Sequence, residues 1–451
     1  MRLLIKNGHL VDPSTNLDCI SNLYVEDGKI VSITNDVLDA DEVIDASGLI
    51  VSPGFIDIHM HEDKYLEDKD RLDDSMSTSA LAMGVTLDVG GNCGENSCNP
   101  LKYFELIDRD GGPTNIALFI GHSYLRDTYL KHNKYKPISD DDISLMCDKA
   151  KEYLSKGCLG VSFGVKYVPS ADYRELLSLA KTCTKEDRLV SSHVRQDEDE
   201  VFAACEELAN LAKDAKIRVE FSHIGSMGGY GQMSQLLSQI DDYRKQGIDI
   251  SADCYPYDAF CTSIGSTTYD DGFLDRYHSD YSHVLIASGK YKGQFATKQI
   301  FDEVRNNDPE AKAIGFFMKK EDVDMAYSKD YVMVGSDGTR TNGSGHPRAS
   351  GSFARFIEDY IATNKISLSE GINKMSCLAA KQLKLRNKGT LRIGADADIT
   401  IFDLSNVKDN ATYIEDLLTP SGIEYVIING EIALKHGEII NNHLGKSVRI
   451  Y

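Results

Sequence analysis

Gly54-Phe55-Ile56-Asp57-Ile58-His59-Met60-His61 joins an apolar run to two histidines one residue apart. Strand side chains repeat every two residues, so His59 and His61 point to the same face. Neutral imidazole is a good zinc ligand, and two of them side by side make a chelating geometry. An HxH pair on a strand also occurs with no metal, so the segments that follow decide its meaning.

Outward from this stretch, from about 50 to 385, short apolar strands alternate with helical patterns. Strand candidates include Ile116–Ile120, Gly160–Phe163, Leu189–Ser192, Arg218–Ser222, Ile248–Ala252 and Val332–Gly335, with helical stretches such as Asp199–Ala212 and Gln232–Gln246 between them. The alternation predicts an α/β fold with a parallel sheet wrapped by helices, and the number of repeats favours a closed (β/α)8 TIM barrel over an open sheet. The gap between the strands near 250 and 333 is too long for one βα unit. Residues 262–330, rich in Tyr and Asp, therefore read as an insertion where a lid would sit.

Residues 1–52 and 389–451 alternate short apolar runs with turn signals, such as Leu23-Tyr24-Val25 before Asp27-Gly28 and Tyr425-Val426-Ile427-Ile428 before Asn429-Gly430. Val448-Arg449-Ile450 reads as one more strand of the same kind. Both ends together predict a small accessory β-sandwich domain flanking a catalytic barrel over 53–388.

The candidate barrel strands end in residues of ligand or catalytic type, where a barrel carries its active site. The series is His59 and His61, Cys93 in Gly90-Gly91-Asn92-Cys93-Gly94, His193 in Ser191-Ser192-His193, His223 in Phe221-Ser222-His223, and Asp337 in Gly335-Ser336-Asp337-Gly338. Alone, each strand-end histidine reads as a satisfied polar residue and Asp337 as an Asx-turn before Gly338. Six in phase with the repeat point to one site.

Composition bounds the partners. At 451 residues, 41% hydrophobic and 26% charged, the chain has the make-up of an ordinary globular protein. No run approaches the roughly 18 apolar residues needed to span a bilayer, and the first ten residues lack the features of a signal peptide. A net charge of −21 argues against nucleic-acid binding. It also repels any anionic substrate, so a local Arg or Lys must hold a carboxylate. Ten cysteines without paired spacing favour a reducing cytoplasm over a disulfide framework.

The chain resembles the amidohydrolase superfamily, and within it the N-acyl-D-amino-acid deacylases. The resemblance rests on PGFIDIHMH (53–61), GGNCG (90–94), GHSYLR (121–126), GVSFGVKYVP (160–169), SHVRQDEDEV (192–201), FSHIG (221–225), DCYPY (253–257), GSDG (335–338), GHPRASGSFAR (345–355) and KGTLRIGADADITIFD (388–403). It implies a metal-dependent hydrolase barrel that cleaves the amide of an N-acyl-D-amino acid to a carboxylate and a free D-amino acid. Cys93, His193 and His223 match the ligands of a tight Zn2+, His59 and His61 those of a weaker second one, and Asp337 the catalytic acid/base. The substrates are small molecules bearing a carboxylate. Arg348 is the candidate clamp for it, since a guanidinium pairs bidentately with a carboxylate, and Tyr255 or Tyr257 would add a hydroxyl donor. Arg195 and Arg340 are secondary candidates, His122 reads as pocket lining or support, and His346 lies near the site without a role.

Two positions depart from the pattern. Many relatives carry a lysine where this chain has Gly225, which weakens the case for an acidic side chain on the substrate. Lys166 lies on the strand where dihydroorotases and isoaspartyl dipeptidases carry a carboxylated, metal-bridging lysine. It is thus a further ligand candidate and opens an alternative, a binuclear cyclic-amide or isopeptide hydrolase. Its other reading is an ion-paired lysine at the barrel mouth. A catalytically silent scaffold is a third reading, opposed by the complete set of competent residues.

Overall fold

The computed structural model describes residues 1–131 and 133–451. Eight parallel strands make its centre: β1 (Phe55–Asp57), β2 (Val85–Gly90), β3 (Asn115–Leu118, resumed after Phe119 as Ile120–Gly121), β4 (Gly160–Gly164), β5 (Leu189–His193), β6 (Arg218–Phe221), β7 (Ile250–Cys254) and β8 (Val332–Val334). Each pairs in parallel with the next. The last strand returns to the first where Asp337 N–H donates to His59 O (2.7 Å) and His61 N–H to Gly338 O (3.0 Å). This is a (β/α)8 barrel.

Its strands are buried along their length, as in β2 (Val-Thr-Leu-Asp-Val-Gly) and β4 (Gly-Val-Ser-Phe-Gly). Parallel strands covered on both faces take this near-continuous apolar form. The helices outside are amphipathic. Asp140–Ser155 starts at a capping box made by Ser139 and Asp142 and buries Ile143, Met146, Ala150, Tyr153 and Leu154 along one face.

The two ends of the chain build one nine-stranded sheet. Its junction is Ile50–Pro53, which pairs in parallel with Arg2–Asp12 and antiparallel with Ile399–Phe402. Leu3, Ile5, Leu23 and Val25 accordingly share an apolar core with Leu391, Ile399, Ile401 and Ile427. Asp398 ties this sheet to the barrel, accepting from Lys388 Nζ at 2.5 Å and from Asn115 Nδ2 at 3.3 Å.

Residues 445–450 depart from the sequence reading. They leave the terminal sheet and run beside the barrel, with Val448 N–H donating to Ile116 O (2.7 Å) and Ile450 N–H to Gly157 O (3.0 Å). Val448 and Ile450 pack against a cluster that contains Leu159 and Leu189. The start of the barrel offers these two apolar side chains more cover than a sheet edge would.

Between β7 and β8 the chain forms a three-stranded antiparallel sheet with Lys312–Gly315 in the middle, Phe260–Ser263 on one side and Val284–Ile286 on the other. This insert stands over the carboxyl ends of the barrel strands and supplies one wall of the cavity described next.

Candidate metal centre

The loops that follow the strands bring the ligand-type residues together. In the Gly90–Gly94 loop, Gly91 has φ +75°, and a Cβ there would meet Phe119 O at 2.2 Å. Only glycine lets this loop pass so close to β3. Cys93, His223 and Asp337 all have left-handed backbone (φ 52°, 36° and 46°). Non-glycine residues in this region cost about 1 kcal/mol or more each and persist where the surroundings over-determine them, characteristically at functional sites.

Cys93 Sγ lies 3.3 Å from His59 Nε2, 3.4 Å from His223 Nε2 and 3.8 Å from His193 Nδ1. Asp337 Oδ1 lies 3.7 Å from His59 Nε2 and 3.3 Å from His61 Nε2. Donors placed tetrahedrally about a zinc at ordinary bond lengths are about 3.3–3.6 Å apart, so the separations fit a shared ion. The ligand atoms of His59, Cys93, His223 and Asp337 all lie within 4.8 Å of one another. Thiol and imidazole are the donors zinc favours.

Second partners orient the rings. His59 Nδ1 is 3.0 Å from Asp253 Oδ2, and both side chains are fully buried. Ser226 Oγ donates to His223 O (3.0 Å) and is 2.9 Å from His223 Nδ1, which makes it the acceptor for that ring. Each bond leaves Nε2 as the free lone pair facing the thiol, the arrangement a metal-binding histidine needs. His193 Nε2, by contrast, is buried without a hydrogen-bond partner among the described residues, and its ring centre lies 4.6 Å from that of Tyr167.

Electrostatics match this division. Burial lowers His59 to about 4 and His223 to about 3, so both are neutral at physiological pH. Burial pushes the Cys93 thiol well up, helped by Asp337, whereas a coordinated cation deprotonates a thiol outright. Burial opposes charge on Asp337 too, yet the Arg348 guanidinium foremost, and the hydrogen bond to His61, hold it well below the usual carboxylate range. Asp253, desolvated, rises to about 7.

Arg348 is 1% exposed, and its Nη2 lies 2.8 Å from Asp337 Oδ2. The sequence suggests a clamp for substrate; its partner here is the Asp337 carboxylate, because a buried guanidinium requires a counter-ion. Its Nε and Nη1 remain buried without hydrogen-bond partners among the described residues. Tyr255 lies under this guanidinium, 4.5 Å from ring centre to Cζ. The Tyr257 hydroxyl donates to Asp409 at 2.7 Å, and Arg348, Tyr255 and Tyr257 alike are absent from the cavity lining. The turn at Pro256 aims the two tyrosines at different partners.

Lys166 takes the ion-paired form of its two readings. Its Nζ lies 2.8 Å from Asp197 Oδ1, both buried, and Lys166 is outside the ligand group. Burial lowers its pKa against the pull of Asp197. His122 is buried against Glu175 (2.6 Å), Arg195 pairs with Glu207 (2.8 Å) and Arg340 donates to Ser79 Oγ (2.8 Å), so all three brace the scaffold. His346 Nδ1 accepts from Arg348 N–H at 3.0 Å.

Sequence reasoning missed Asp253, Ser226 and Asp197. A carboxylate inside the otherwise buried Ile-Ser-Ala-Asp-Cys strand is the available signal for Asp253. The other two sit in loops and helix starts with nothing to distinguish them. The site opens into a cavity of about 400 Å³ walled by His61, Cys93, His193, His223 and Asp337 on the barrel side and by residues 260–263, Gly265, Ser266, Glu310 and Lys312 of the insert opposite.

The model of the Amidohydrolase family matches residues 42–134 and 102–434. The chain belongs to that family. Among its relatives the chain is similar to a D-aminoacylase of Alcaligenes xylosoxydans xylosoxydans, 29% identical over 484 aligned positions that span 98% of this chain and 96% of that protein. It is equally similar, 29% over 460 positions, to an N-acyl-D-glutamate deacylase of the same organism, spanning 95% and 92%. The crystal structure of an N-acyl-D-glutamate deacylase from Bordetella bronchiseptica, complexed with zinc and a phosphonate that mimics the tetrahedral intermediate, superposes with a TM-score of 0.89 at 26% identity and covers 99% of both chains. Within the family, then, this amidohydrolase has the deacylase shape over its whole length.

Proposed function

We propose that this amidohydrolase is a zinc-dependent N-acyl-D-amino-acid deacylase, hydrolysing the amide to a carboxylate and a free D-amino acid. The observation that carries the reading is Asp337, held anionic by Arg348, beside a buried thiol and imidazoles at zinc-ligand separations. Cys93, His193 and His223 would hold the tighter ion, and His59 and His61 with Asp337 a weaker second one. When bound, zinc polarises a carbonyl and brings the pKa of water to about 7.

The chain's own groups supply the rest. Asp337 enters the reaction as a base, since its pKa is depressed, and Oδ1 takes a proton from the attacking water and passes it to the departing amine. Arg348 holds Oδ2 throughout, so the carboxylate keeps one orientation. The unpartnered Nε and Nη1 of Arg348 are offered to the substrate's α-carboxylate, with Tyr255 stacked beneath; buried donors are rarely left unmatched. The pairing of Lys166 with Asp197 disfavours the binuclear alternative built on a carboxylated lysine. Ten free thiols fit a reducing, cytoplasmic setting.

Amine release from N-acetyl and N-formyl amino acids of both configurations, with zinc added and removed, tests the reading. Zinc-dependent turnover confined to the D series supports it; turnover of dihydroorotate or an isoaspartyl dipeptide in its place would refute it.

A further inference from the structure

The cavity of this enzyme is lined by three basic side chains, Arg126, Lys134 and Lys312, that the hydrolytic reaction leaves unused. Arg126 Nε is closed on Glu175 at 3.3 Å. Lys312 differs. It lines the cavity, and among the described residues no carboxylate lies within 4.0 Å of its Nζ, although Glu95, Asp127 and Glu310 line the same space. Its bonded partner is a hydroxyl, Ser263 Oγ at 3.2 Å. Lys134, the other unpaired cation of the wall, is exposed and lies over the Tyr135 ring at 5.4 Å.

Lys312 is also held in position. It begins the central strand of the insert sheet, paired with Ser263 across the ladder, and its N–H donates to Ser288 Oγ at 2.8 Å. Ser266, one turn beyond Ser263 and bonded to it through the backbone (2.9 Å), carries a hydroxyl shielded from solvent and, among the described residues, without a partner. It lines the same cavity. An ammonium and a spare hydroxyl on a rigid wall make an anion site, and an ammonium bound only to a hydroxyl has full charge to offer. The protein's net charge of −21 makes such a local cation necessary for any dianionic substrate. The opposite wall cannot supply one at Gly225, where an added Cβ would meet Cys254 Sγ at 2.9 Å.

We propose that Lys312, with Ser266, is the specificity-determining anion site of this cavity and selects substrates that carry a second carboxylate besides the α-carboxylate. The inference rests on the deacylase reading above and deepens it. The second carboxylate can come from the amino-acid side chain or from the acyl group, and the chemistry at Lys312 is the same.

The test compares kcat/KM for isosteric pairs on the zinc-loaded enzyme: N-acetyl-D-glutamate against N-acetyl-D-glutamine for the side chain, and N-succinyl-D-alanine against N-butanoyl-D-alanine for the acyl group. The wild type is expected to favour the dicarboxylate by about tenfold or more in one of the two pairs, chiefly through KM. Lys312→Met should abolish that preference and leave the neutral partner within about twofold, which also reports an intact fold. Lys312→Arg should retain most of it. No preference in either pair, a preference that survives Lys312→Met, or an equal loss on every substrate would overturn the proposal while leaving the deacylase reading standing. Failure of all four substrates to react would remove the deacylase reading, and the proposal with it.

Discussion

The two walls of the cavity are built on different terms. On the barrel side, His59, Cys93, His193, His223 and Asp337 are all buried, and His59, His223 and Asp337 are each turned toward the site by a second group. On the insert side, Lys312 and Ser266 carry donors with capacity to spare. A reaction that moves protons needs groups held within about 0.5 Å, which rigid strand ends and their outer partners provide. Recognition asks only for a charge of the right sign within reach. The difference teaches that chemistry and selectivity can vary independently here, because they hang on separate sheets.

The largest effect that would sharpen this contrast is expected at Asp337. Asp337→Asn should lower kcat by about 10²–10⁴-fold with every substrate, the range for loss of a general acid/base. Equal activity of this variant would break the assignment of the barrel wall. Next comes Asp253→Asn, which removes the partner of His59 Nδ1. A loss of about 10–100-fold in zinc affinity is expected, read by competition with a chelating dye.

A pH experiment probes the same wall. Burial keeps the Cys93 thiol protonated in the metal-free protein, while His59 and His223, at about 4 and about 3, are already neutral near pH 7. Zinc binding should therefore release about one proton, and affinity should rise with pH by about tenfold per unit between pH 6 and 8. The binding enthalpy would then vary with the ionisation enthalpy of the buffer. A heat independent of buffer would contradict a thiol ligand.

The smallest effect is expected at Tyr257. Tyr257→Phe loses one buried hydrogen bond to Asp409 and should destabilise the fold by about 1–3 kcal/mol in denaturant unfolding. Its kcat/KM should stay within about twofold of the wild type. A large kinetic loss would restore this tyrosine to the substrate-binding residues.

The barrel was legible because a parallel strand covered on both faces has to be apolar, and a ligand at its end has to be polar. Ile250-Ser251-Ala252-Asp253-Cys254 and Gly160-Val161-Ser162-Phe163-Gly164 announce themselves in this way. The ligand set depended on resemblance, since a strand-end histidine looks the same whether it binds a metal or a serine. Roles set by pairing were illegible. Arg348 could have faced a substrate, Lys166 an ion and Tyr257 a carboxylate, and nothing local to those residues says that Asp337, Asp197 and Asp409 are their partners.

By itself, then, the amino-acid order determined the alternation of strand and helix, the strand ends that carry histidine, cysteine and aspartate, and the joining of the two termini in one β region. These are properties of periodicity and local polarity, which act over a few residues. The tertiary structure alone decided that Asp253 turns His59 from 194 positions away, that Arg348 restrains Asp337, and that an insert strand carries Lys312 to the cavity. Such choices depend on which buried charges meet, and burial makes an unmatched charge too costly to leave, whatever its distance along the chain.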